Sequence, residues 1–197
     1  MAYYALLSVS NKSGIVDFAE GLVRAGYEII SSGGTHAVLQ AEGIPVMKVS
    51  EYTGSPEILE GRVKTLHPKI HGGILAKRGH PLHDLDRNAN GIELIDIVAV
   101  NLYPFKETVA KPDVTWAEAI ENIDIGGPSM VRSAAKNQKD VTILTNPNQY
   151  GIFIDALKGN ISVTVDDLRP QFAIEAFKHT AEYDTAINKW MSENKDL

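Results

Sequence analysis

The sequence predicts an α/β fold with a mainly parallel central sheet flanked by helices, and three observations lead to this prediction. Short apolar runs of strand length alternate with stretches whose apolar residues recur at helical spacing. The run Ile95–Val100 is apolar at nearly every position, as expected of a parallel strand that is buried on both faces. Strands joined through helices form right-handed crossovers, which produce parallel pairing.

The elements of the first half follow from periodicity and from glycines that end helices. Between the first two strands, Ile15, Phe18 and Leu22 recur at helical spacing, and Gly26 closes that helix. After the second strand, the segment THAVLQAEG is predicted as a helix that Gly43 ends. The five predicted strands are YALLSV, YEIIS, PVMKV, IDIVAV and VTILT, at 4–9, 27–31, 45–49, 95–100 and 141–145.

Capping patterns predict where further helices begin, and a long helix follows them. A capping side chain before proline marks a helix N-terminus, as does threonine with glutamate three residues later. Such starts are Ser55-Pro56, Thr115 with Glu118, and Asn146-Pro147. From Leu168 to Met191, apolar residues recur at helical spacing, which predicts a long amphipathic helix.

The composition indicates one soluble globular domain, residues 1–197, and excludes several kinds of function. The chain has 197 residues, of which 44% are hydrophobic and 22% charged. Cysteine is absent, which excludes disulfides and cysteine-based metal sites and fits a reducing compartment. The net charge of −6 argues against broad nucleic-acid binding. No apolar run reaches about 18 residues and no basic leader opens the chain, so neither a membrane span nor a signal peptide is expected.

One segment of this acidic chain is strongly basic. The stretch GRVKTLHPKIHGG, residues 61–73, contains no carboxylate, and none follows before His80. Its basic side chains are Arg62, Lys64, His67, Lys69 and His71, to which Lys77 and Arg78 are added further along. A local cluster without its own counter-charge suits a small anionic ligand better than a polymer. For Lys69 and Lys77, a solvated surface position is sufficient explanation.

His67 and His71 have a spacing that also occurs in metal sites. No third ligand is evident nearby, and the positive charge of the segment would repel a cation. A metal site is therefore not predicted.

Polar turns follow three of the predicted strands. In an open parallel sheet, ligands bind beyond the carboxyl ends of the strands, so these turns meet at one edge. Glycines in such a turn let the backbone approach an anion, and the first N–H groups of a helix favour negative charge. The turns present Ser8, Ser10 and Lys12; Ser32, Gly33, Gly34 and Thr35; and Asn101 and Tyr103. Helix capping by Thr35, Ser10 or Asn11 is the alternative explanation.

The segment IDIGGPSMVRSAAKN contains two further candidates. Pro128 suits the first helical position, which makes Gly127 the cap and leaves Asp124 upstream without a capping role. Lys136 lies at the far end of the same helix, where offsetting the helix dipole explains it from the residues alone.

Six segments together closely resemble the IMP cyclohydrolase domain of the bifunctional enzyme of purine biosynthesis, whose other half is an AICAR transformylase. They are SVSNKSG, SSGGT, GRVKTLHPKIHGGIL, NLYPF, IDIGGPSMVRSAAKN and HTAEYD, and the resemblance runs from about Tyr4 to Trp190. It implies a methylglyoxal-synthase-like three-layer domain that converts formyl-AICAR to IMP and water without a cofactor or a metal. It also implies a cytoplasmic homodimer that binds neither nucleic acid nor membrane.

The resemblance carries site residues over position by position. It implies that phosphate and ribose are held by Ser10, Lys12, Ser32, Gly34, Thr35, Arg62 and Thr65. It implies that the base end is held by Asn101, Asp124, Ile125 and Gly126, with Asn11, Gly33, Val63, Lys64 and Val100 in the same site. The implied catalytic group is Lys64, Tyr103, Asp124 and Lys136. The counter-charge of the basic segment would then be a nucleotide 5′-phosphate.

Two relatives of the same fold are alternatives, and one expected part of the family is missing. An effector-binding module, as in carbamoyl-phosphate synthetase, would need the phosphate turns but not the catalytic group. Methylglyoxal synthase relies on aspartates near these turns, whereas this chain has Asn11 and no aspartate in SSGGTH. The sequence stops at Leu197, where the transformylase half would begin, so no transformylase activity is expected.

Overall fold

The computed structural model describes residues 3–194 and is built on a five-stranded sheet in the order β3-β2-β1-β4-β5. Every pairing in the sheet is parallel, as the alternation of strands and helices predicts. The strands are β1 (Tyr3–Val9), β2 (Tyr27–Ser31), β3 (Val46–Lys48), β4 (Ile95–Asn101) and β5 (Thr142–Leu144). All five predicted strands are therefore present.

Helices connect the strands and cover the sheet. The first five are α1 (Ile15–Arg24), α2 (Gly33–Ala41), α3 (Val49–Thr53), α4 (Pro68–Leu75) and α5 (Pro81–Ala89). The others are α6 (Phe105–Val109), α7 (Trp116–Glu121), α8 (Gly126–Lys136), α9 (Asn148–Leu157) and α10 (Val165–Glu193). A short 3₁₀ turn, Leu59–Gly61, lies between α3 and α4. None of the helices among residues 3–194 is both long and apolar enough to cross a membrane.

The core is centred on β1 and β4, which pair with each other in the middle of the sheet. Leu6 lies opposite Ile30 of β2 on one side and Val98 of β4 on the other, and all three are fully buried. α1 packs against α2 and α9, while α8 packs against α4 and α10. Strands buried on both faces explain the nearly continuous apolar run in β4.

The strand order creates the place for a ligand site. From β1 the chain proceeds to β2 and β3 on one side, and later to β4 and β5 on the other. The two directions diverge between β1 and β4, where Val9 lies opposite Asn101 at the carboxyl ends. A crevice opens at such a switch point because the connections on either side of it run to opposite faces.

The predicted helix at Ser55-Pro56 is wrong. α3 ends just before, at Thr53, and Gly54 adopts the left-handed conformation with φ 74°. Gly-Ser-Pro is therefore a helix stop, since glycine ends helices in this conformation and proline commonly follows. The start of α8 is also misplaced, because the helix begins at Gly126 and Pro128 is its third residue.

The other capping patterns correspond to helices in the structure. Thr115 and Glu118 form the capping box of α7, and α9 begins directly after Pro147. α10 starts at a further capping box, Thr164 with Asp167, and includes the whole stretch predicted as helical. The short helices α3, α4, α5 and α6 were not predicted. None of them begins at a serine, threonine, aspartate or asparagine cap of the kind that marked the predicted starts.

Candidate active site

A cleft of about 890 Å³ opens at the carboxyl ends of β1, β2 and β4. Its walls come from the turn after β1, the start of α2, the loop around residues 59–66, the turn after β4, and the junction of α7 with α8. The predicted site residues that line it are Ser10, Lys12, Ser32, Gly33, Gly34, Thr35, Arg62, Val63, Lys64, Thr65, Asn101, Tyr103, Asp124, Ile125 and Gly126. The fold thus brings together segments that are far apart in sequence.

The first turn of α2 forms one end of the cleft. Ser32 precedes the helix in an extended conformation, and Gly33 adopts φ +53°, a conformation that glycine tolerates without strain. The first N–H groups of a helix have no intrahelical partner, so this end offers donors to an anion. A Cβ atom at Gly34 would lie 3.8 Å from Lys12 Nζ, so the ammonium group stands over the same turn.

Lys12 and Thr35 are held by the end of β1. Lys12 Nζ donates to the carbonyl oxygens of Val9 and Ser10 at 2.6 and 3.2 Å, and burial lowers the pKa of the amine. Thr35 Oγ1 accepts from the Val9 N–H and donates to the Val9 carbonyl, both at 3.0 Å. Thr35 therefore joins α2 to β1 and does not cap its own helix, which rules out the capping alternative for this residue.

Asn101 organises the turn after β1. Its Oδ1 accepts from the N–H groups of Ser10 and Asn11 at 2.7 and 2.8 Å, and its Nδ2 donates to the Asn11 carbonyl at 3.1 Å. Asn11 does not line the cleft, and its side chain accepts from the Ser13 N–H at 3.0 Å. This asparagine pair sets the turn's conformation, which leaves Ser10 and Lys12 at the cleft wall.

The loop that carries Arg62 and Lys64 has a strained tip. Leu59 and Glu60 have φ values of 53° and 55°, in the left-handed region that residues other than glycine rarely adopt. An isolated antiparallel bridge between Ile58 and Val63 closes the loop below this tip. Backbone strain of this kind persists where the surroundings hold it, and it concentrates at functional sites.

Two carboxylates from outside the basic segment pair with its cations. Arg62 forms a two-pronged hydrogen-bonded ion pair with Glu121 of α7, and Lys64 Nζ lies 3.6 Å from Glu57 Oε2. The segment alone predicts that its basic side chains have no carboxylate partner, and this prediction is wrong for Arg62 and Lys64. The Arg62 pair is largely exposed and the Lys64 pair partly exposed, and exposed ion pairs exchange partners at little cost.

Asp124 has a capping role that the sequence prediction missed. Because α8 begins at Gly126, the Asp124 carboxylate reaches its first turn, and Oδ1 accepts from the Gly127 N–H at 2.9 Å. Burial raises the pKa of Asp124, while that hydrogen bond and the charge of Lys64 partly oppose the shift. The carboxyl group is thus partly buried beside a cationic side chain and faces the cleft.

Tyr103 and Ile125 form the rim of the cleft, and three predicted residues lie outside its lining. Tyr103 is 58% exposed and Ile125 is 59% exposed. Val100 is buried in β4, and Asn11 is an exposed residue of the turn after β1. Lys136 is exposed at the opposite end of α8, about 15 Å along the helix axis from Gly126.

The two histidines of the basic segment have separate partners. His67 caps α4, because its Nδ1 accepts from the Lys69 N–H at 3.1 Å, and its Nε2 lies 3.1 Å from Ser55 Oγ. His71 Nδ1 lies 3.1 Å from Ser133 Oγ of α8. Within residues 3–194, no group of three histidine, aspartate or glutamate side chains is placed to hold a metal ion.

Two residues of the segment HTAEYD support the cleft from behind. His179 Nε2 accepts from the Leu102 N–H at 3.3 Å, and the Tyr183 hydroxyl accepts from the Asp124 N–H at 2.8 Å. Sequence reasoning assigned no role to either residue, nor to Glu57 and Glu121. The segment HTAEYD could have drawn attention to His179 and Tyr183. No motif or spacing in the sequence indicates a role for Glu57 or Glu121.

Comparisons with known proteins agree with this architecture. Residues 14–129 match the family described as MGS-like domain, which is more than half of the chain. Residues 134–197 match the family described as AICARFT/IMPCHase bienzyme. A solved structure titled "Crystal structure of ForH" superposes with a TM-score of 0.82 at 32% identity, covering 95% of this chain and 98% of that one.

Curated relatives share far more sequence. The chain is 61% identical over 194 residues to the bifunctional purine biosynthesis protein PurH of Synechococcus sp. (strain CC9902), covering 98% of this chain and 37% of the relative. It is 59% identical over 194 residues to the protein of the same name from Prochlorococcus marinus (strain MIT 9211), with the same coverage, 98% and 37%. The chain therefore spans a little over a third of the length of these relatives.

Proposed function

The chain belongs to the MGS-like domain family, and we propose that it is an IMP cyclohydrolase that closes the purine ring of formyl-AICAR to give IMP and water. The supporting observation is the composition of the cleft. One end offers helix N–H groups, hydroxyls and Lys12, which suit a phosphomonoester. The other end presents Lys64, Tyr103 and a partly buried Asp124, which suit proton transfer and charge stabilisation.

The cleft has the size and polarity that a nucleotide requires. Its volume of about 890 Å³ lies within the range of small-molecule sites, roughly 300–1,000 Å³. We assign the phosphate to the first turn of α2, with Lys12 on one side and Arg62 on the other. Arg62 can hold phosphate oxygens in the same two-pronged way in which it holds Glu121 here.

The reaction requires the carboxamide nitrogen to attack the formyl carbon. A C–N bond forms, the amide nitrogen gives up a proton, and negative charge develops on the formyl oxygen. That oxygen takes up this proton and the proton of the formamido nitrogen, and it leaves as water as the C–O bond breaks and a C=N bond forms. Asp124 is assigned to polarise the amide N–H and to accept its proton, since burial raises its pKa toward that task. Lys64 and Tyr103 are assigned to donate hydrogen bonds to the developing oxyanion.

Much of the acceleration is expected from orientation. Both reacting groups belong to one molecule, so holding amide and formyl group at attack distance removes most of the entropic barrier. The capped start of α8 and the Asn101 turn give the cleft walls fixed positions for this purpose.

The proposal for Lys136 is linked to the proposal of a homodimer. Its ammonium group is exposed at the far end of α8 and does not line the cleft of its own chain. The simplest arrangement that satisfies both proposals places Lys136 of the partner subunit in the cleft, as a proton carrier. We place this activity in the cytoplasm, with formyl-AICAR and IMP as its ligands and no bound cofactor.

Direct assay tests the function. Purified protein is added to formyl-AICAR in the presence of EDTA, and formation of IMP is followed by its purine absorbance. We expect turnover far above the spontaneous rate. Binding of IMP without turnover would support a nucleotide-binding regulatory module instead, and absence of both would contradict the assignment of the cleft.

Removing the carboxylate that competes for Arg62 is expected to strengthen ligand binding. Glu121→Gln should lower the Kd of IMP about two- to fivefold, because phosphate then no longer displaces an ion-pair partner. Arg62→Ala should raise that Kd about tenfold or more, since a charge-assisted contact is lost. Isothermal titration calorimetry at low and high salt measures both changes.

Asp113→Asn is the matched control, because it removes the same charge from an exposed position outside the cleft lining. If Glu121→Gln and Asp113→Asn changed IMP affinity equally, the effect would come from net charge. The assignment of Arg62 to the phosphate would then lose its support.

A further inference from the structure

We propose that His179 and Tyr183, one turn apart on α10, form a clamp that positions the two loops carrying Tyr103 and Asp124. The roles of those loops rest on the proposed function, whereas the clamp itself rests on the two hydrogen bonds to their backbones. His179 and Tyr183 would thus act as positioning residues that touch no substrate.

Each clamp bond holds a loop next to its functional residue. The Leu102 N–H, which donates to His179 Nε2 at 3.3 Å, lies between Asn101 and Tyr103. The Asp124 N–H donates to the Tyr183 hydroxyl at 2.8 Å, so the backbone of the residue that carries the carboxylate is itself the anchored group. Residues four apart share one helix face, and therefore a single turn of α10 sets the distance between the two loops.

Neither loop has a sheet partner at these N–H groups. β4 ends at Asn101, so Leu102 has left the ladder, and Asp124 precedes the first residue of α8. Leu102 is 6% exposed, so water is a poor substitute for the lost acceptor. Without the clamp, each loop must move to satisfy its N–H group, and the functional side chains move with it.

α10 is rigidly anchored beside the clamp. The ring of Tyr183 meets that of Phe105 edge to face, with centroids 6.3 Å apart. About two turns further along α10, the rings of Trp190 and Phe105 meet edge to face with centroids 6.0 Å apart. The Trp190 ring also stacks on that of Trp116, with centroids 5.3 Å apart. Aromatic contacts of this geometry bind α10 to α6 and α7, the elements between the two clamped loops.

The histidine half of the clamp depends on protonation. Nε2 accepts a hydrogen bond only in the neutral imidazole, because both ring nitrogens are donors in the cation. Burial lowers the pKa of His179, and Glu182 on the same helix partly opposes this shift. Ionisable side chains on neighbouring elements are Tyr103, Lys106, Glu107, Asp124, Arg132, Lys136, Tyr150 and Asp155. His179 is therefore neutral at and above its ordinary pKa, and it loses its acceptor only as pH falls through its lowered pKa.

Three variants of the full chain test the clamp. His179→Gln offers an amide oxygen that accepts the Leu102 N–H but does not titrate, whereas His179→Ala removes the acceptor. Tyr183→Phe keeps the buried ring and removes the hydroxyl. We expect amide hydrogen exchange to quicken at Leu102 in His179→Ala and at Asp124 in Tyr183→Phe, and to stay near wild type in His179→Gln.

Activity should follow the same pattern. We expect kcat to fall about 10- to 100-fold in His179→Ala with little change in the Kd of IMP, because the reacting groups are misplaced. His179→Gln should retain kcat within about threefold at neutral pH, and it should lose less activity than wild type as pH is lowered from about 7.5 through the lowered pKa of His179. His83→Gln is the control, because it replaces a histidine of α5 that does not line the cleft. This variant should keep the wild-type dependence of activity on pH.

The two readouts separate this proposal from the proposed function. Absence of turnover in the wild type would refute the proposed function. Amide hydrogen exchange would still test the clamp, because that measurement does not depend on turnover. Unchanged exchange at Leu102 and Asp124 in the Ala and Phe variants would overturn the clamp. Equal acid sensitivity in His179→Gln and wild type would overturn its histidine half.

Discussion

Replacement of Asp124 by asparagine is expected to lower kcat about 100-fold or more while IMP binding changes only a few-fold. The carboxylate is assigned to accept the proton of the attacking amide, and its raised pKa results from burial in the cleft wall. An amide side chain cannot accept that proton. Steady-state kinetics with formyl-AICAR, together with calorimetry with IMP, measures the two quantities separately.

The same residue caps α8, and the choice of substitution separates the two roles. Asparagine retains an oxygen that can accept from the Gly127 N–H, whereas alanine does not. Asp124→Ala should therefore lose about 0.5–2 kcal/mol of unfolding free energy, and Asp124→Asn much less. Chemical denaturation checks this difference. If Asp124→Asn kept near-normal kcat, the carboxylate would be only a cap.

Replacement of Lys136 by alanine is expected to lower turnover by a comparable factor, about 100-fold. If the ammonium group merely offset the dipole of α8, the variant would lose about 0.3–1 kcal/mol of stability and keep its activity. Lys136→Arg keeps the charge but does not readily give up a proton, and it should remain impaired. Denaturation and turnover measured on the same preparations distinguish the two explanations.

Mixing two inactive variants tests whether Lys136 acts across a homodimer. In a dimer of one Lys136→Ala and one Asp124→Asn subunit, one cleft has both an intact Asp124 and an intact Lys136 of the partner subunit. An equal, randomly re-associated mixture should regain about a quarter of wild-type activity. Size-exclusion chromatography with light scattering establishes the dimer independently. A mixture that stayed inactive while forming mixed dimers would exclude action across the interface.

Local features of the sequence were sufficient to predict most of the fold. Alternation of apolar runs with helical periodicity depends on neighbours within a few residues, and it indicated all five strands and the parallel sheet. The glycine turn at the start of α2 follows from the same kind of local chemistry. The Ser55-Pro56 prediction failed because the same dipeptide follows helix ends as well as preceding helix starts, and Gly54 decides between them.

The candidate site was predictable only as a set of residues. Polar turns after parallel strands meet at one edge of the sheet, so their convergence could be expected from strand order. The pattern of a turn does not reveal which partner each side chain will meet. The sequence predicts ligand contacts for Thr35 and Asn101. The structure commits the Thr35 side chain to the backbone of Val9 at the end of β1, and the Asn101 side chain to the backbone of the turn that follows.

By itself, the sequence determined that this protein has a parallel α/β sheet, a basic segment and a helix start suited to an anion. Only the tertiary structure decided which carboxylates pair with the charges of the basic segment and which contacts hold the walls of the cleft in place. Arg62 and Glu121 are separated by 59 positions, and His179 and Leu102 by 77. Contacts over such distances depend on how whole elements pack, and no local period or turn preference encodes them.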